Sequence, residues 1–132
     1  MTIAKQSEEY IKHYFKEKYN ITLIDVGKGE VGFDSRDESS KLFVEVKSSG
    51  YKKPQGFYFT NAQYEKVKSC QKKKKTDYEI HLVVGMGSKS QMHCKIPVKV
   101  FLKQAEPVVS WYLTVRKADY DKYKLNEGNL VS

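Results

Sequence analysis

Apolar side chains recur at helical spacing near the start of the chain. Ile11, Tyr14, Phe15 and Tyr19 form one stripe, which predicts an amphipathic helix over residues 4–19. Ser7 is placed to cap it or to sit in its first turn, Glu8 and Glu9 suit the positive end of a helix, and Asn20 marks a stop. Three short runs with β character follow, over residues 21–26, 29–36 and 41–48. Asp37-Glu38-Ser39-Ser40 is turn chemistry between the last two, so the runs predict a meander. Thr60-x-x-Gln63 is a capping-box signature that opens a second helix, about 60–73, with Ala62, Tyr64, Val67 and Cys70 on its apolar side. Lys72 begins the lysine run that ends it. Further strands are expected over residues 78–84, 96–102 and 108–115. Gly85-Met86-Gly87-Ser88 reads as a turn after the first, and a short helix or tail is expected beyond residue 116. The order α-β-β-β-α-β-β-β indicates an α/β domain, a mixed sheet flanked by helices.

Composition narrows the class. The 132 residues suit a single domain, 1–132, able to bury a core without disulfides or a structural metal. Aromatic residues make up 13%, ten of them Tyr, which argues against wholesale disorder. No apolar run reaches the ~18 residues of a membrane helix, and the first residues lack the apolar segment of a secretory signal. A cytoplasmic protein with no membrane partner is therefore expected, with Cys70 and Cys94 as free thiols. Zinc is disfavoured because no C-x-x-C occurs. The net charge of +8 points either to a polyanionic partner, nucleic acid first, or simply to a lysine-rich soluble surface.

One stretch changes the picture. Phe43-Val44-Glu45-Val46-Lys47 alternates as a strand, so Glu45 and Lys47 share one face while Leu42, Val44 and Val46 share the other, which should be core. A hairpin centred between Ser39 and Ser40 sets Asp34 across from Glu45, with Cβ atoms about 4.5–5.5 Å apart. Two carboxylates that close repel each other unless one takes a proton or a cation lies between them. A hard divalent ion with oxygen ligands is the natural solution, and Mg²⁺ commonly takes only one or two carboxylates besides water and phosphate. Lys47 on the same face would sit beside the ion and any bound phosphate. A surface hairpin with one polar face would also alternate Glu and Lys. However, this is the only acid-x-Lys in the chain, and Gly32 precedes Asp34 where a close backbone approach would be useful.

The Gly32-Phe33-Asp34 and Glu45-x-Lys47 elements, behind a leading helix that carries a Glu, resemble the PD-(D/E)XK nuclease superfamily with its restriction-endonuclease-like fold. The segment Phe57-Tyr58-Phe59-Thr60 opening a helix, followed by a strand, looks like an uncharacterised branch of that superfamily often attached to helicase or defence proteins. The likeness covers about residues 4–86. It implies Asp34 and Glu45 as metal ligands with the carbonyl of Val46, Lys47 as the catalytic lysine, and Glu8, or its neighbour Glu9, as the first-helix Glu. Some branches place a Gln or Glu on the second helix. Gln63 stands there, although its capping-box role alone would account for it. The Pro of the superfamily's name is replaced by Phe33.

The implied function is a DNA endonuclease dependent on Mg²⁺ or Mn²⁺, a homodimer if it cuts duplex, with RNA also open as substrate. The alternatives are a non-catalytic nucleic-acid-binding module on the same fold and a protein-interaction domain. Lys52 and Lys53, in the loop after the site strand, are the better candidate phosphate contacts; Lys72 and Lys73, at the second helix end, are candidates too, although a solvated helix end accounts for them more readily. Trp111 and Tyr112 fit core packing better than base stacking. His13, His81 and His93 carry no triad signature.

Overall fold

A computed structural model describes residues 1–26, 32–50, 56–108 and 113–123. Its described elements are α1 (Ile3–Tyr19), β1 (Ile24–Asp25), β2 (Ser35–Arg36), β3 (Leu42–Ser49), α2 (Asn61–Lys73), β4 (Asp77–Val84), β5 (Met92–Ile96), α3 (Val98–Gln104) and α4 (Lys117–Tyr123). The strands make one five-stranded mixed sheet in the order β1-β2-β3-β4-β5. All neighbours are antiparallel except β3 and β4, which run parallel and are joined by α2. A parallel pair needs such a crossover because a tight turn cannot return the chain to the same end. The fold is thus α/β, a mixed sheet flanked by helices.

The two faces of β3 divide the core. Leu42 and Val44 pack with Ile11 and Phe15 of α1, with Leu23 and Val83, and Val46 leans on the same cluster. Phe43 lies on the other face with Phe33, Val67, Cys70, Tyr78, Ile80 and Phe101, beneath α2 and α3. Glu45 and Lys47 share the Phe43 face by strand alternation, so they lie under α2 and away from α1.

Gly32 is fixed by that packing. Its φ is +94°, and an added Cβ would fall 2.7 Å from Lys66 Cβ and 3.0 Å from the Ala62 carbonyl oxygen. The close approach expected there is made to α2. The phenol of buried Tyr78 donates to the Gly32 carbonyl and ties the same turn to β4.

Helix ends follow local chemistry. Thr2, rather than Ser7, caps α1 through its hydroxyl to the Lys5 N–H, and Asn20 ends it in the left-handed region at φ 55°. Ser7 and Glu8 therefore lie past the first turn, and Ser7 is fully buried. Thr60 and Gln63 form the expected capping box of α2.

The strand expected over residues 96–102 is instead the end of β5 followed by α3. Val98, Val100 and Leu102 alternate, but Val98, Phe101, Leu102 and Ala105 recur at helical spacing and pack together beneath α2. Pro97, which lacks an N–H for a ladder, stands at the helix N-cap. Of the strand expected over residues 108–115, positions 109–112, with Trp111 and Tyr112, lie outside the described residues. Val108 and residues 113–115 belong to no strand. No described helix is long and apolar enough to cross a membrane.

Candidate metal and phosphate site

The hairpin between β2 and β3 has the register its turn residues imply. Ser35 pairs with Val44 and Arg36 with Phe43, centred between Ser39 and Ser40. Asp37 holds the turn, its Oδ1 accepting from the N–H groups of Lys41 and Leu42 at 2.8 and 3.1 Å. Asp34 stands one residue before β2. Its N–H donates to the Val44 carbonyl at 2.9 Å, and its Oδ2 accepts from the Val46 N–H at 2.8 Å. The Asp34 side chain thus takes the ladder position beyond the paired residues. In a strand the N–H and C=O of one residue point to the same edge, so the Val46 carbonyl faces the Asp34 side.

Glu45 is the most constrained acid of the group. It is only 2% exposed, and its Oε1 is buried without a hydrogen-bond partner. Its Oε2 accepts from Gln63 Nε2 at 2.9 Å and lies 3.4 Å from Lys47 Nζ. Burial, and then the negative charge of Asp34, push its pKa up to about 8 against the pull of Lys47. Asp34 thus acts on Glu45 electrostatically from across the hairpin. Glu8, on α1, is within electrostatic reach of Asp34. Burial and the Asp34 charge raise its pKa, partly offset by Lys5.

Gln63 forms the capping box and also contacts both polar residues of β3. Its Oε1 accepts from the Thr60 N–H at 2.9 Å, completing the capping box, and from Lys47 Nζ at 3.0 Å. Its Nε2 meanwhile donates to Glu45. One side chain therefore closes the N-terminus of α2 and holds the acid and the amine of the Glu-x-Lys strand. Lys47 Nζ also lies 4.8 Å from the centre of the Phe59 ring.

The arrangement fits a divalent cation in one respect that the fold alone would not produce. A buried carboxylate oxygen without a donor, beside a second carboxylate, is costly unless a proton or a cation compensates it. Among the described residues no group of three or more His, Cys, Asp or Glu side chains could hold a metal ion. The oxygens that would hold such an ion are those of Asp34 and Glu45 with the Val46 carbonyl, a set small enough for Mg²⁺, which takes few protein ligands.

The remaining expected residues separate. Lys72 and Lys73 lie in the last turn of α2, roughly 14 Å along the helix from Gln63, and do not join this cluster. Lys52 and Lys53 lie outside the described residues. Lys66, one turn below Gln63, holds its Nζ 4.7 Å from the Phe43 ring and is the closer cation.

A second polar group escaped the sequence reading. His81 is fully buried on β4, its Nε2 2.9 Å from Glu79 Oε1 and its Nδ1 2.8 Å from His93 Nε2 on β5. Burial opposes ionisation of Glu79, but His81 and Lys95 outweigh it and lower the pKa, whereas burial and then His81 lower that of His93. Glu79-x-His81 is a same-face pair legible on a strand. His93 joins it only through the β5 register, which the sequence reading did not contain.

No curated protein and no solved structure matches the chain. The family model described as Protein NO VEIN, C-terminal matches residues 5–95, a span that holds Glu8, Asp34, Glu45, Lys47 and Gln63 and ends within β5. With more than half of its length covered in this way, the chain belongs to the Protein NO VEIN, C-terminal family.

Proposed function

We propose that the chain is a metal-dependent nuclease of the PD-(D/E)XK type, hydrolysing phosphodiester bonds of DNA at the Asp34–Glu45–Lys47 site. The observation that carries this reading is Glu45. It is an acid removed from water, with one oxygen unanswered and a second carboxyl group against it, on the strand position that also presents an amine.

Asp34, Glu45 and the Val46 carbonyl would hold Mg²⁺ or Mn²⁺, which when bound supplies a Lewis acid for the phosphate and a more acidic water. Lys47 keeps its charge directed at the same point, because Gln63 Oε1 and Glu45 Oε2 grip its Nζ from two sides. It would offset charge on the phosphoryl oxygens as they become more negative. Glu8, its pKa raised by burial and by the Asp34 charge, would be the group to take up a proton at its carboxylate. The net charge of +8 favours encounter with a polyanion.

The test is cleavage of plasmid and oligonucleotide DNA with Mg²⁺ or Mn²⁺ by the wild type, Asp34→Ala and Glu45→Ala. Metal-dependent cutting that both variants lose while still binding DNA is expected. Binding that persists in EDTA with no cutting under any metal would replace the proposal with a non-catalytic nucleic-acid-binding module.

A further inference from the structure

Next to the site, and sharing Phe59 with it, lies a cleft that the phosphodiester chemistry does not use. Its volume is about 650 Å³, within the range of small-ligand pockets. The walls carry Phe57, Tyr58, Phe59, Tyr64 and Phe101, and the floor is Ile80, Leu82 and Ile96 of the sheet. Asn61 and Gln104 add polar groups at its edge.

The floor is tied to the site by register. In the parallel ladder Ile80 is the partner of Glu45 and Leu82 the partner of Lys47, so these two floor residues are each one strand spacing, about 4.8 Å, from a site residue on the same face. Phe59 belongs to both, as a wall of the cleft and as the ring that Lys47 Nζ faces. Tyr58 stands 79% exposed at the opening.

An occupant of this cleft that also reaches Lys47 must be flat and apolar at one end and anionic at the other. A nucleotide has that shape. Within an intact duplex the flat faces are stacked against neighbouring pairs and cannot meet these rings. An unpaired base can, and aromatic walls beside a cationic group are the usual platform for single strands.

We infer that the cleft receives an unpaired base next to the phosphate held at Lys47, so that the substrate is single-stranded DNA or the single-stranded part of a branched DNA. This rests on the nuclease reading above and deepens it. A single strand has one backbone to cut, so one copy of the site suffices.

The experiment separates the two ideas by measuring binding without metal and cutting with it. Fluorescence anisotropy in EDTA would compare a labelled 20-nucleotide single strand, the same strand with a run of abasic positions, and its duplex. The single strand should bind at least about tenfold more tightly than the duplex, and removing bases should weaken it. Tyr58→Ala, on an exposed side chain, should lower single-strand affinity by about 5- to 100-fold and leave duplex affinity and thermal melting unchanged. Equal affinity for all three DNAs, or Tyr58→Ala binding the single strand as the wild type does, would overturn the inference, whatever the cutting assay gives. Base-dependent binding that Tyr58→Ala weakens, with no cutting under Mg²⁺ or Mn²⁺, would uphold base capture by the cleft while overturning the nuclease reading.

Discussion

Glu45→Gln isolates the charge on which the site depends. The replacement keeps shape and an acceptor oxygen but cannot ionise. In the folded metal-free protein the Glu45 pKa is pushed up to about 8 from its ordinary 4.5. At about 1.4 kcal/mol per unit, ionising it inside the fold costs of the order of 4–5 kcal/mol. The sign follows from which state holds the proton. Below pH 4.5 both folded and unfolded chains are protonated at Glu45, and the group is neutral in the balance. As pH rises from 4.5 towards 8, the unfolded chain releases the proton and the folded one keeps it, so stability falls. Above pH 8 the whole cost is present. His93, whose pKa is lowered, works in the opposite direction around pH 6.5, and Glu8, whose pKa is raised, in the same direction as Glu45. Taking the difference between wild type and Glu45→Gln cancels both to first order. Urea unfolding followed by circular dichroism in EDTA, at pH 5.5 and pH 8.5, measures it. The advantage of Glu45→Gln over wild type should grow by about 3 kcal/mol across that interval. Added Mg²⁺ should then recover stability in the wild type at pH 8.5 and do nothing for the variant. A difference that stays constant with pH would refute the reasoning, because it would mean that Glu45 ionises in the fold as readily as in water.

Further outcomes follow from the same contacts. Apparent Mg²⁺ affinity of the wild type, measured by calorimetry, should rise roughly tenfold per pH unit between pH 6 and 7.5, since a cation competes with one proton on Glu45. Gly32→Ala should destabilise the fold by about 2 kcal/mol or more in urea unfolding, because its Cβ meets Lys66 at 2.7 Å and its φ of +94° is strained for Ala. Gln63→Glu keeps the oxygen that caps α2 but loses the donor to Glu45 and sets a third carboxyl group against the pair. It should melt within a few degrees of wild type at pH 6 yet cut DNA far more slowly, whereas Gln63→Ala should also lose about 1 kcal/mol of helix capping. His81→Ala should cost about 2–4 kcal/mol by thermal unfolding, because it opens a cavity and strips Glu79 and His93 of a shared partner.

The elements that were legible in the sequence are those whose pattern is local. The α1 stripe, the Thr60-x-x-Gln63 start of α2 and the alternation of β3 each announce themselves within a dozen residues. The same holds for the β2–β3 register that brings Asp34 to the Glu45 strand, because the Asp37 turn fixes the hairpin over a short span. What the reading missed depends on contacts between distant segments. Residues 98–102 alternate like a strand, and only the packing of Phe101 against Phe59 and Tyr64 decides for helix. The reach of Gln63 to Lys47 depends on where the crossover helix docks, which Gly32 helps set by letting α2 approach. His81 and His93 meet across a β4–β5 ladder whose second strand was placed too late in the chain.

Gln63 shows why site and fold are hard to separate here. A capping side chain is usually spent on the helix it opens, and a site side chain on its ligand. Here the Gln63 amide oxygen closes α2 and receives Lys47, and its nitrogen answers one oxygen of Glu45. The other Glu45 oxygen is left buried without a hydrogen-bond partner. The crossover that makes β3 and β4 parallel therefore also delivers the group that orients the acid and the amine. It places Ile80 and Leu82 beside them as the floor of the aromatic cleft as well. Loosening α2 should for that reason damage three things together: the capping of the helix, the direction of Lys47 and the shape of the cleft. Removing the charge of Asp34 should leave all three in place and affect only what binds between the carboxyl groups. A variant series read by melting, metal affinity and single-strand binding in parallel distinguishes those two kinds of damage, and only the second should abolish metal binding without changing base capture.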